Sequence, residues 1–149
     1  TTEGGLDVAG GRDQLRDFTR RLAGAGIRVS LFIDPDPDQI EAAAAIGAPV
    51  VELHTGAYCD AGDDQRDREF ARIRTGAALA AEAGLECHAG HGLSFDTVGA
   101  IAAIRQIQEL NIGHFLVGEA IFSGLDSAIK RMRALMDKAR AEPSGRKSA

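Results

Sequence analysis

Helical periodicity alternates with short apolar runs along nearly the whole chain, and that alternation limits the fold more than any other feature. "IRVSLFID" (27–34) and "APVVELHTG" (48–56) are rich in β-branched and apolar residues and read as strands. "LECHAGHG" (85–92) reads as a short strand running into a glycine loop, and "ELNIG" (109–113) as another short strand. Between them lie helical stretches. "GRDQLRDFTRRLAGAG" spaces Leu15, Phe18 and Leu22 on one face and stops at Gly24 and Gly26. "DPDQIEAAAAIG" carries Asp36 or Asp34 as its cap and Pro37 in its first turn. A long helix ends at Gly84, "SFDTVGAIAAI" forms a further one, and "HFLVGEAIFSG" reads as a short extra helix before the amphipathic "LDSAIKRMRALMDKARA".

One helix followed by four strand–helix units predicts an α/β fold with parallel neighbours and right-handed crossovers. The apolar "VSLFI" and "PVVEL" suit strands covered on both faces. Two architectures fit: an open doubly wound sheet, or part of a (β/α)8 barrel. No G-x-G-x-x-G opens an early helix, which disfavours the dinucleotide-binding form of the first.

The 149 residues suffice for one domain with a real core. Its expected extent is 1–140, with "EPSGRKSA" as a frayed tail over 141–149. A net charge of −5 argues against a nucleic-acid surface, which needs clustered cations. Backbone amides can still hold phosphorylated small molecules in an acidic protein. Cys59 and Cys87 form neither a disulfide framework nor a zinc spacing, so a cytoplasmic setting is expected. No apolar run approaches the ~18 residues of a membrane span. "TTEGGLD" at the start reads as a mid-protein loop, where Thr1 or Thr2 could offer a hydroxyl to a ligand.

The chemistry-bearing residues fall at the carboxyl ends of the strands, the edge that carries the site in parallel α/β proteins. Asp34 ends the first strand, Glu52 and His54 the second, His88 and His91 the third, and Gly113 and His114 the fourth. Alternation puts Val50, Glu52 and His54 on one face of their strand. A carboxylate there is either a paired structural group or a functional one. His88 and His91 stand three apart in a strand–loop junction rather than on a helix, and no third ligand accompanies them, which disfavours a metal. A packed pair and an acid–base role both remain open. The glycines beside His91 indicate close backbone approach to a ligand, or positive φ. Gly113 before the helix that opens at His114 reads either as a phosphate cradle at a helix N-terminus or as a plain turn.

Several stretches in order, "TTEGGLDV", "VSLFIDPD", "GAPVVELHTGAY", "HAGHGLSFDTV" and "ELNIGHFLVGEAIF", closely resemble the pyridoxine 5′-phosphate synthase family of bacterial vitamin B6 biosynthesis, from residue 1 to about 137. The resemblance implies a cofactor-free (β/α)8 barrel that assembles as a homo-octamer. It implies condensation of 1-deoxy-D-xylulose 5-phosphate with 3-amino-2-oxopropyl phosphate to give pyridoxine 5′-phosphate, inorganic phosphate and water. It implies contact of Thr1 with the deoxyxylulose phosphate, stabilisation of charged intermediates by Glu52, and proton donation by His91. Gly92, Gly113 and His114 would hold the aminoketone phosphate.

His88 departs from a position more often Asn in that family and is given no catalytic role. The family's first-half motifs, including its His-Leu-Arg-Glu-Asp loop, have no counterpart here. The chain is therefore expected to form the last four strand–helix units, to expose sheet edges, and to lack turnover alone. Two rival readings are a non-catalytic phosphate-binding half-barrel and another phosphate-binding barrel enzyme such as an aldolase or isomerase. Against the latter, the only lysines, Lys130, Lys138 and Lys147, lie in the last helix or the tail.

Overall fold

The structure, a computed structural model, describes residues 4–141. Thr1 and the tail from residue 142 lie outside the described residues. The elements run α1 (Arg12–Gly24), β1 (Ser30–Ile33), α2 (Pro37–Ala45), β2 (Val50–His54), α3 (Gly56–Asp60), α4 (Asp63–Glu82), β3 (Glu86–Gly90), α5 (Val98–Ala102), β4 (Ile107–Asn111), α6 (His114–Ser123) and α7 (Leu125–Ala141).

The four strands form one parallel sheet in the order β1-β2-β3-β4. That order separates the two architectures. Right-handed crossovers between strands that follow one another in space place every connecting helix on the same face. A doubly wound sheet reverses direction at a switch point and covers both faces. This sheet has no reversal, so it is a wall of a barrel, with helices outside and the other face turned inward.

Burial follows the same division. Leu31, Ile33, Val51, Leu53, Cys87, Ala89 and Ile107 point outward into one core with Ile40 of α2 and Ile73, Ala77 and Ala80 of α4. Each fully buried aliphatic side chain contributes about 1.5–3 kcal/mol relative to exposure. Burial in this layer pushes the Cys87 thiol up to about 12, so it behaves as a small apolar residue. On the opposite face Phe32, Glu52, His88 and Glu109 stand side by side, because each is register-paired with the next.

Local chemistry explains the helix limits. Asp36, rather than Asp34, caps α2: its carboxylate accepts from the Asp38 amide at 2.9 Å, and Pro37 occupies the first helical position. Gly47 just past that helix has φ +82°, the left-handed conformation a helix stop uses.

The first two strands are shorter than their 27–34 and 48–56 stretches, and three further differences have local causes. The fourth strand begins at Ile107, two residues early, because fully buried Ile107 completes the outward layer. Helix α5 is shorter than the 94–104 stretch, since Ser94 to Thr97 form a turn held by the Thr97 hydroxyl accepting from the Ser94 amide at 2.9 Å. The five-residue α3 was not expected, being too short to show a periodicity.

At the end of the sheet, Arg140 of α7 donates to the carbonyls of Ile104 and Ile107, tying the last helix to the start of β4. Beyond this tie the apolar residues of α6 and of the start of α7 stand open. Phe122 is 89% exposed and Ile121 78%. On the other flank Phe18, expected on the buried face of α1, is 58% exposed. No described helix is long and apolar enough to cross a membrane.

Candidate active site

The carboxyl ends of β2, β3 and β4 surround a hollow of about 800 Å³. Glu52, His91, Gly92, Asn111, Gly113 and His114 all line it. Five of the six residues to which the resemblance gives site roles thus line one cavity, and the sixth, Thr1, lies outside the described residues; Asp34, His54 and His88 do not line it.

Glu52 projects inward from the middle of β2. Asn111 at the end of β4 donates from Nδ2 to Glu52 Oε2 at 2.9 Å. Gly90 makes room for the carboxylate between them: a Cβ there would lie 2.2 Å from Glu52 Oε1. Burial holds the Glu52 carboxyl above its ordinary value of 4.5, against the Asn111 hydrogen bond and the nearby His88 and His91, with Glu109 adding to the rise.

A carboxyl raised in the folded state keeps its proton where the unfolded chain releases it. Its contribution to stability is full below pH 4.5 and is lost as pH rises through the folded value. Glu52→Gln, which keeps an acceptor for Asn111, therefore raises the melting temperature at pH 7, and the gain shrinks toward zero below about pH 4. Thermal melts of the protein expressed from its complete reading frame check this; an equal shift at both pH values would contradict it.

His91 follows β3 with φ +78°, the only described non-glycine residue in the left-handed region, and Gly92 continues at φ +81°. Such a backbone costs of order 1–3 kcal/mol for a residue with a side chain. Thr55, fully buried, holds the turn in place. Its amide donates to Gly90 O at 2.8 Å, and its hydroxyl lies 2.7 Å from Gly90 O and 2.5 Å from His91 O. Those bonds fix where the His91 side chain leaves the main chain, at the edge of the hollow.

Gly113 precedes α6 and His114 begins it. The first-turn amides of a helix have no intrahelical acceptors and face the cavity mouth with the positive end of the helix dipole. Phe115 fixes this end by packing edge-on against Phe95 at 4.8 Å, and Arg131 of α7 lies over the Phe95 ring at 4.0 Å. The site therefore combines a carboxylate, an imidazole and an anion-receptive helix start.

His88 is separate from this group. Its Nε2 lies 2.7 Å from Glu86 Oε1 and its Nδ1 3.5 Å from Glu109 Oε1, and Arg28 pairs with Glu86. Thus His88, buried on the inward face beside Glu52, is engaged by Glu86 and Glu109 and does not line the hollow. Among the described residues no three His, Cys, Asp or Glu side chains gather as metal ligands.

Sequence reasoning did not single out Asn111 or Thr55. For Asn111 the signal is its place at the end of a strand two residues after Glu109. For Thr55 it is a hydroxyl directly after a buried strand, where a neighbouring loop needs a donor.

Parallel strands in chain order, helices on one side and titratable groups gathered at the carboxyl ends define a segment of a (β/α)8 barrel with its site in the usual place. The chain belongs to the family described as pyridoxal phosphate biosynthesis protein PdxJ, which matches residues 1–138. It is 62% identical over 146 residues to pyridoxine 5′-phosphate synthase of Caulobacter vibrioides (strain NA1000 / CB15N), covering 95% of this chain and 58% of the relative. With the protein of that name from Rhodospirillum rubrum it shares 62% over 140 residues, covering 93% and 56%. With that from Zymomonas mobilis it shares 58% over 142 residues, covering 95% and 56%. The chain spans a little over half the length of these curated relatives.

Proposed function

We propose that this chain supplies part of the active site of a pyridoxine 5′-phosphate synthase. That enzyme joins 1-deoxy-D-xylulose 5-phosphate to 3-amino-2-oxopropyl phosphate and releases pyridoxine 5′-phosphate, inorganic phosphate and water. The observation that carries the reading is the meeting of Glu52, His91 and the start of α6 in one hollow.

The chemistry assigns each group a task. The aminoketone phosphate sits on the amides of Gly92, Gly113 and His114, where a dianion meets N–H donors and the helix dipole without adding positive side chains. Thr1 contacts the phosphate of the deoxyxylulose substrate. The amine condenses with the ketone to an imine and water leaves. His91 donates a proton to a departing oxygen, and the half-buried carboxyl group of Glu52 stabilises the cationic intermediates. The remaining proton acceptors come from barrel units outside this chain, so residues 1–149 alone give no turnover. The working protein is a cytoplasmic self-associating barrel, an octamer by its resemblance to the family.

Incubating the protein from its complete reading frame with both substrates tests the reading. Product and inorganic phosphate should appear in equal amounts, and neither should appear when one substrate is withheld. A folded full-length protein that yields no product overturns it.

A further inference from the structure

We infer that His54, with its neighbours Thr55 and Gly56, forms a cradle that sets the position of the His91 ring, making His54 a positioning residue for the reaction. The inference rests on the proposed role of His91 as proton donor.

The two imidazoles are stacked, with ring centroids 4.8 Å apart and planes inclined by 31°. His54 is itself wedged in place. Its side chain is 14% exposed, its Nδ1 lies 3.5 Å from Asp34 Oδ1 at the end of β1, and the Phe32 ring meets it edge-on at 5.2 Å. Its Nε2 is buried without a hydrogen-bond partner among the described residues, so Asp34 and the ring packing are what orient it. Gly56 completes the arrangement. A Cβ at that position would lie 2.8 Å from His54 Cε1 and 3.0 Å from His91 Cδ2, so only glycine leaves room for both rings.

Three consecutive residues therefore act on His91 in different ways. His54 supplies the face against which the ring rests, Thr55 holds its carbonyl, and Gly56 clears the space. The main-chain conformation fixes where the His91 side chain departs but leaves its χ angles free. A ring in rotamer exchange would spend only part of its time in reach of the substrate oxygen, and a displacement of about 1 Å can cost about 10²-fold in rate. Asp34, just after β1, and His91, in the loop after β3, are the titratable groups that face His54, and Glu52 shares its strand face two residues earlier.

Variants in the protein from its complete reading frame test this by kinetics and by crystal structures. His54→Ala should lower kcat about 10–100-fold, with KM for both substrates within about threefold. His54→Phe, which keeps a flat ring under His91, should recover most of that loss. In a His91→Asn background His54→Ala should cause no further loss, because one residue acts through the other. The crystal structure of His54→Ala should show the His91 ring turned or displaced by about 1 Å. An unmoved ring, or effects that add fully in the double variant, overturns the positioning role. If the ring moves but His91→Asn retains full turnover, the proton-donor reading fails, and the catalytic part of the inference fails with it.

Discussion

His91→Asn in the full-length protein lowers kcat by about 10²–10⁴-fold, the usual worth of one positioned acid–base group. KM for either substrate stays within about threefold, because the phosphate contacts lie on other residues. Asparagine is the informative replacement. It tolerates the left-handed backbone better than other side chains, so the φ +78° turn and its Thr55 bonds survive while the proton carrier is lost. Steady-state kinetics with circular dichroism as the folding control give the answer. Turnover within twofold of the parent enzyme would remove His91 from the mechanism.

Gly90→Ala is the second large effect, and its cause is steric. The added methyl would stand 2.2 Å from Glu52 Oε1, the far end of a side chain that can turn, and 2.9 Å from Asn111 O, a backbone atom that cannot. Glu52 must swing away, breaking its bond to Asn111 and leaving the position opposite His91. Overpacking of this kind costs about 1–3 kcal/mol in stability. Loss of an aligned carboxylate lowers kcat by about 10²-fold. A melt and a rate measurement on the same preparation separate the two consequences. Normal kcat in this variant would mean that the Glu52 carboxylate is not needed where the structure holds it.

Much of this was legible in the residues. The alternation of periods gave parallel strands, and their ends collected Glu52, His91, Gly113 and His114 before any geometry was known. The glycines around His91 raised close backbone approach to a ligand or positive φ; positive φ occurs at His91 and Gly92, while Gly90 makes room for the Glu52 carboxylate.

What stayed hidden depends on register. Between β3 and β4 the pairing shifts, so that Cys87 faces Ile107 while His88 faces Glu109. Gln108 is the extra residue, and it reverses the parity of everything after it. Counting in twos from outward-facing Ile107 would send Asn111 into the helix layer. The bulge instead turns it inward onto Glu52. Thr55 escaped for a related reason, since its partners, the carbonyls of Gly90 and His91, lie more than thirty residues away in sequence.

The strand order has a consequence for synthesis. Each strand pairs only with those directly before and after it in the chain, and β2 and β3 meet α4, the helix that joins them. Within these four units, partners are therefore available almost as soon as they leave the ribosome, and no strand waits for a distant one. The wall can be laid down course by course, each step closing the loop of one crossover only.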